Sequence, residues 1–176
     1  MSSMMSQKCF DPNLDGINHI NVYSRGKTEI GRFLSNMAHT PFEYQRFESQ
    51  RFDLKNVESF WYYAKLEWTC DPRLEDIFQK TAFEAKKLGQ LIAKDHEHEF
   101  EHIVWDEQEF RRSILDCIRV KIESYPEMKD SILENDLPLN HYYVNQSGGV
   151  VRLPKYNWLI TGIENLISDM NGFSLF

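Results

Sequence analysis

The chain has 176 residues, of which 41% are hydrophobic and 14% aromatic, so it is long enough for one domain with a sizeable core. Its net charge of −7 argues against a protein that grips nucleic acid chiefly through the phosphates, although small anionic ligands could still bind locally. Three widely separated cysteines, no apolar run of membrane-spanning length and no hydrophobic signal core predict a soluble, cytoplasmic protein without membrane contact.

The first ordered element is expected to begin near Ile17. Residues 1–16 show no sustained period, and we expect a flexible lead-in there, followed by a single domain over residues 17–176. Residues 17–23 alternate apolar and polar side chains, a pattern typical of a short half-buried strand.

Short polar residues interrupt the next stretch. Gly31, Ser35, Asn36 and Pro41 are expected to prevent a helix. Residues 42–52 predict either a pair of strands or an extended arm that leads into the next helix. Ser35 and Asn36 are flanked by apolar residues. They either form a turn or supply the polar floor of an otherwise apolar pocket.

The most informative stretch is the helix predicted over residues 56–66, with Asn56 as its N-cap. Helical spacing places Glu58, Trp61, Tyr62 and Lys65 on one face. A carboxylate and an amine between aromatic walls suit polar chemistry in a partly dry pocket, because burial and pairing shift both pKa values towards neutrality. The alternative is an ordinary amphipathic helix with solvated charges and core aromatics.

A further helix is predicted from Thr81 to Asp95. Lys86 and Lys87 lie on it as a pair that either meets a phosphate or forms a solvated face. Gly89 is placed where a neighbouring backbone or a ligand can approach closely.

Histidines and a tryptophan precede the longest helix. Residues 96–102, HEHEFEH, contain the spaced pair His98 and His102, but they lack a complete set of metal ligands, and we predict no metal site or requirement. Asp106 is a typical N-cap for the helix that Pro126 is expected to stop. Trp105, just before that cap, either packs on the turn or walls a site.

The last third of the chain is expected to be loop-rich up to a short closing helix over residues 160–170. Gly148 and Gly149 do not form a phosphate-binding loop, because no strand, helix or lysine-serine pair surrounds them in the required order. No cofactor fingerprint is present in the sequence, and none is expected to be required.

Several of these pieces together resemble the NADAR or YbiA-like family. They are INVYS followed by GRFLSN, the helix VESFWYYAK, AKKLG, Trp105 with the RxxxxxxIRxKI helix, and NWLITG. They occur in the order that the family shows and cover roughly residues 17–170. The resemblance implies a single α+β domain, mainly helical with a small antiparallel sheet.

The same resemblance implies an N-glycosidase that removes ADP-ribose from guanine in nucleic acid or nucleotide, or acts on ribosylated riboflavin-pathway intermediates. Glu58 matches the family's helix glutamate, and Lys65 matches the lysine thought to form an imine with the sugar C1. The substrate-binding positions that the resemblance implies are Ser35, Asn36, Trp61, Tyr62, Lys86, Gly89, Trp105 and Asn157.

The sequence departs from the family at one turn. HYYVNQSGG, residues 141–149, carries Asn145, Gln146 and Ser147 near the position of the family's acidic residue. An alternative is therefore a catalytically impaired module that binds ADP-ribose or a related nucleotide signal without turnover.

Overall fold

The computed structural model describes residues 10–102 and 106–173. It shows an α+β protein in which helix predominates, as the sequence predicts. The α-helices in this part of the chain are α1 (Glu29–Leu34), α2 (Val57–Leu66), α3 (Ala82–Asp95), α4 (Glu107–Glu123), α5 (Pro126–Leu133) and α6 (Asn157–Phe173). The strands are β1 (Ile20–Asn21), β2 (Phe42–Arg46), β3 (Gln50–Leu54), β4 (Leu139–Asn140), β5 (Tyr142–Val144) and β6 (Val150–Arg152). None of these helices has both the length and the apolar composition needed to cross a membrane.

The described chain divides into two compact units. One combines the residues up to Ser35 with those from Asp130 onward, and the other is Asn36–Lys129. Neither boundary falls in a stretch rich in proline or glycine, so no linker composition marks them in the sequence.

The first unit contains two pairs of strands. β1 runs parallel to β4, with Ile20 opposite Leu139, while β5 and β6 form an antiparallel hairpin. The strand predicted over residues 17–23 is thus confirmed only for β1, and the pairing of β1 departs from the expected antiparallel arrangement. Strand β4, the partner of β1, is distant in sequence, so no hairpin turn in the sequence predicts this pairing.

Helix α1 corrects the expectation that Gly31 and its neighbours prevent a helix. The Thr28 hydroxyl caps it by accepting a hydrogen bond from the Gly31 N–H at 2.9 Å. A Cβ on Gly31 would collide with the backbone oxygen of Asn21, so glycine permits α1 to lie directly on β1. Tertiary packing therefore outweighs local helix propensity here.

Regular structure begins before Ile17, contrary to the expectation of a flexible lead-in for residues 10–16, while residues 1–9 lie outside the described part of the chain. Asp15 is buried, and its carboxylate accepts hydrogen bonds from the backbone N–H groups of Asn21 at 2.9 Å and Lys27 at 2.8 Å. These bonds fix the entry to β1. Burying a carboxylate requires such partners, which sequence periodicity does not show.

The second unit contains the strand pair predicted over residues 42–52, which is confirmed as the antiparallel hairpin β2–β3. Tyr44 and Phe52 point to the same side of this hairpin and meet Phe60 of α2, with ring centroids 4.9 Å and 5.5 Å from it. Aromatic contacts of this kind anchor α2 on the sheet.

Helices α2, α3 and α4 complete the second unit, with α2 packed against both of the others. A 3-10 helix over Pro72–Gln79 precedes α3. α3 begins with a capping box in which Thr81 and Glu84 bond each other's backbone N–H groups. Leu66, Ile77 and Ile92 form the buried cluster between these elements.

Candidate functional site

The candidate site is built on α2. Asn56 caps this helix as predicted, because its side-chain oxygen accepts a hydrogen bond from the Ser59 N–H at 2.9 Å. Phe60 and Ala64 are buried on one stripe of the helix. Glu58, Trp61, Tyr62 and Lys65 are all half-buried, and their spacing places them along a neighbouring face.

Glu58 has the electrostatic properties expected of a catalytic acid or base. Its backbone N–H donates to the Asn36 carbonyl at 3.0 Å, which fixes the first turn of α2. Burial raises the pKa of the Glu58 carboxyl to about 7, and the Lys86 ammonium opposes this rise. The group is therefore able both to donate and to accept a proton near neutral pH.

Tyr62 and Gly89 form a close contact between α2 and α3. A Cβ built on Gly89 would overlap the ring and the Cβ of Tyr62. The predicted close approach at Gly89 is thus made by a protein side chain, and the aromatic ring fills the space considered for a ligand. Gly89 acts as a packing position in this structure.

Trp61 is directed towards α4. Its ring meets the edge of Phe110 at a centroid distance of 4.9 Å and an interplanar angle of 85°. This contact fixes the Trp61 ring beside α4, and the Trp61 side chain stays partly exposed. A half-buried indole of this kind can provide apolar contact area to a ligand.

Lys65 lies seven residues beyond Glu58, which is about 10 Å along the helix axis. Its backbone carbonyl accepts a hydrogen bond from the Trp68 Nε1–H at 3.0 Å. Within the described residues its ammonium makes no ion pair, and the cation that acts on the Glu58 carboxyl is Lys86. The structure therefore couples Glu58 electrostatically to α3, whereas the sequence suggested coupling to Lys65.

The other predicted positions have different settings. Ser35 is buried at the C-terminal end of α1, and Asn157 is the exposed first residue of α6; both belong to the first unit. Asn36 contributes its backbone to the start of α2. Trp105 lies outside the described residues, so its predicted role stays a prediction.

Lys121 is a titratable group that the sequence patterns did not single out. It is fully buried on α4, and burial lowers the pKa of its ammonium to about 7. The signal was its position three residues after Ile118 on the apolar stripe, where a charged residue is unusual. Lys121 is thus a second lysine to be distinguished from Lys65 in any test of amine chemistry.

The histidine-rich stretch forms a polar network at the end of α3. His96 Nε2 lies 3.1 Å from the Asp71 carboxylate, and His96 Nδ1 lies 3.1 Å from that of Glu99. Arg73 also pairs with Asp71 at 2.6 Å. Among the described side chains, those of residues 10–100 and 106–172, no three from His, Cys, Asp or Glu are grouped so as to hold a metal ion; the His102 side chain lies outside this set.

This network predicts a pH-dependent contribution to stability. The Glu99 and Asp71 carboxylates raise the pKa of His96 in the folded protein above its ordinary value. The stabilisation is therefore complete below pH about 6.5 and is lost as the pH rises through the folded-state value. We expect the difference in unfolding free energy between the wild type and His96→Gln, measured with urea, to be largest at pH 5.5 and to shrink by pH 8.5. A constant difference across this range would contradict the assignment.

The turn at which the sequence departs from the family that it resembles joins β5 and β6 and is closed by the Asn145 side chain. In the β5–β6 hairpin, the Asn145 side-chain oxygen accepts from the Gly149 N–H at 2.7 Å and from the Ser147 hydroxyl at 2.8 Å. Residues 145–149 include no carboxylate. The turn of this hairpin is thus closed by hydrogen bonds among its own residues and contains no acidic group.

Comparisons with known proteins returned no match: no family model, no curated protein and no solved structure is similar to this chain.

Proposed function

We propose that this protein is an N-glycosidase that cleaves the bond between ribose or ADP-ribose and a base, and that the base is guanine. One observation supports this above all: Glu58 is a desolvated carboxyl with a pKa of about 7, on a helix face that also carries aromatic and cationic side chains. A group that titrates near the working pH is suited to general acid-base catalysis. The resemblance of the α2 sequence to the NADAR helix supplies the substrate class.

The proposed reaction assigns one proton transfer to Glu58. As the C1–N bond breaks, its electron pair leaves with the base nitrogen, which takes the proton of the Glu58 carboxyl. A water oxygen forms the new bond to C1, and the surplus water proton returns to the Glu58 carboxylate. The products are the protonated base and the sugar hydroxyl, so atoms and charge balance.

Lys65 provides a second route to the same products. In this route its amine forms the bond to C1 after the base departs, and the sugar ring opens to give an imine that water later hydrolyses. Trp61, on the same helix face, provides apolar surface beside the base or sugar. The proposed substrates are an ADP-ribosylated guanine nucleotide or nucleic acid and, as a related class, ribosylated riboflavin-pathway intermediates.

The lysine route predicts a covalent adduct. Borohydride added during turnover is expected to trap the sugar on Lys65, and Lys65→Arg is expected to lose both the adduct and most of the turnover, because a guanidinium keeps the charge but is not a nucleophile. Peptide mapping by mass spectrometry gives the readout, with Lys121→Met as the matched control, because burial lowers the pKa of the Lys121 ammonium to about 7. An adduct on Lys121, or undiminished turnover by Lys65→Arg, would exclude the Lys65 route in favour of water activated by Glu58.

A binding module without turnover is the second candidate. The amide-closed turn at Asn145 favours it, because that turn lacks the carboxylate expected from the resemblance. The two candidates differ in a simple assay. Incubation with ADP-ribosylated guanine nucleotide, followed by chromatography, releases guanine nucleotide and ADP-ribose if the protein is an enzyme, whereas calorimetric binding with intact ligand identifies the module.

We place the proposed activity in the cytoplasm. Cys70 and Cys117, the cysteines in the described residues, are free thiols, and Cys117 is buried. Unpaired cysteines are typical of a reducing compartment. No cofactor takes part in the proposed reaction.

A further inference from the structure

The starts of α2 and α3 lie side by side. The Asn56 side-chain amide, at the cap of α2, donates to the Lys80 carbonyl just before α3 at 3.3 Å. Farther along, the Tyr62 ring lies against Gly89. One contact joins the N-terminal ends of α2 and α3, and the other joins residues farther along both helices. The two helices therefore run in the same direction where they touch.

These two contacts bracket Glu58 and Lys86. Glu58 lies four residues before Tyr62, and Lys86 lies three residues before Gly89, so each charged residue shares the inward face of its helix with the contact residue. At about 1.5 Å per residue, the two positions differ in level by about 1.5 Å when counted from the Tyr62–Gly89 contact and by about 6 Å when counted from the Asn56–Lys80 contact. Lys86 is half-buried, unlike its exposed neighbour Lys87.

We propose that Lys86 is a positioning residue that sets the fraction of Glu58 carrying a proton at neutral pH. Lys86 lies on α3, on the opposite side of the α2–α3 contact from Glu58, and its positive charge favours the ionised form of the Glu58 carboxyl. The role in catalysis rests on the proposed function, while the effect on proton occupancy does not. The sequence suggested Lys65 as the charge partner of Glu58, whereas the structure gives this role to Lys86.

The electrostatics agree with this geometry. Burial raises the pKa of Glu58, and Lys86 is the cation that lowers it again. A lysine ammonium near a carboxylate stabilises the charged form of the carboxylate. Salt screens this attraction less when the two groups are partly buried. Without Lys86, Glu58 would be mostly protonated at pH 7 and slow to act as a base.

Within the described residues, Lys86 is the charged group that acts on the Glu58 carboxyl. Lys121, fully buried on α4, interacts electrostatically with Cys117. Other charged groups are carried by the elements that pack against α2. Several are engaged in ion pairs of their own: Arg46 with Glu67, Arg51 with Glu43, Arg111 with Glu107 and Arg112 with Glu109. Lys55, beside the α2 cap, bonds the Gln79 carbonyl at 3.1 Å. Lys65 is about 10 Å away along the helix.

The experiment is a carboxyl titration of the intact chain by carbon-13 NMR, with Glu58→Gln used to assign the resonance. We expect Lys86→Met to raise the Glu58 midpoint by roughly one pH unit, since an opposite charge close to a carboxyl lowers its pKa by about that amount or more. Lys86→Arg should keep the wild-type midpoint. Lys87→Met, which removes the adjacent exposed lysine that lies over Phe83, is the matched control and should also leave it unchanged.

An unchanged midpoint in Lys86→Met, or an equal rise in Lys87→Met or Lys65→Met, would overturn the assignment. No substrate is present in this titration, so its outcome is separate from that of the proposed reaction. A shifted midpoint in a protein that releases no base would retain the role of Lys86 and reject the N-glycosidase. Should Lys86→Met fail to fold, the folded Lys86→Gln variant carries the same expectation.

Discussion

Replacing Glu58 by glutamine is expected to reduce the rate of base release by about 10²–10⁴-fold, the usual contribution of a general acid or base. The amide fills the same space but cannot deliver a proton to the leaving nitrogen. The measurement is kcat/KM for ADP-ribosylated guanine nucleotide, followed by chromatography of the released products. Activity within about threefold of the wild type would remove Glu58 from the mechanism.

The same substitution should stabilise the protein at alkaline pH. The folded-state pKa of about 7 exceeds the ordinary 4.5, so the folded protein holds the proton while the unfolded chain releases it, and stability falls as the pH rises between these values. Above pH 7 the cost reaches about 3 kcal/mol. Urea unfolding should show Glu58→Gln more stable than wild type at pH 8 and equal to it at pH 4. Loss of activity with this gain in stability cannot be attributed to misfolding.

Gly89→Ala is expected to destabilise the second unit by about 1–3 kcal/mol, the usual cost of overpacking. The added methyl would overlap the Tyr62 ring, and the backbones of α2 and α3 must separate to relieve it. Alanine's better helix propensity, about 1 kcal/mol, acts in the opposite direction but is outweighed. Thermal unfolding should show a Tm lower by about 2–4 °C for each kcal/mol lost.

Two controls separate this clash from a general effect of the substitution. Gly172→Ala changes a helical glycine with open space around its Cβ position and should be neutral or slightly stabilising. In a Tyr62→Ala background the overlap with the ring is gone while the overlap with the Cβ remains, so Gly89→Ala should cost less than in the wild type, giving a coupling of about 0.5–3 kcal/mol in the double-mutant cycle. Additive effects of the two substitutions would contradict the contact between Tyr62 and Gly89.

Helices and strands that are stabilised by residues close to them in the sequence could be predicted from the sequence. The α2 cap at Asn56, the β2–β3 hairpin and the long α4 helix each follow from local spacing and capping residues. Elements that depend on distant partners could not be predicted. β1 pairs with β4, and α1 forms against the backbone of Asn21 despite residues that disfavour a helix. α6 begins at Asn157, earlier than its amphipathic pattern indicated.

The candidate site was predictable to the same degree. Periodicity placed Glu58, Trp61, Tyr62 and Lys65 on one helix face, but it gave no information on what faces them from α3. Lys86 appeared as one of two equivalent lysines, and only the packing of Tyr62 on Gly89 distinguishes it from Lys87. Charge partners across elements are set by tertiary contacts, which a single sequence does not reveal.

The proton on Glu58 is expected to limit base release. A direct measurement is kcat/KM for ADP-ribosylated guanine nucleotide from pH 5 to pH 9, compared with the Glu58 carboxyl titration of the same protein. Activity is expected to fall above pH about 7, with a midpoint that matches the titration of Glu58 and moves upward with it in Lys86→Met. Activity that is constant from pH 6 to pH 9, or a midpoint that stays fixed when the Glu58 titration moves, would contradict this expectation.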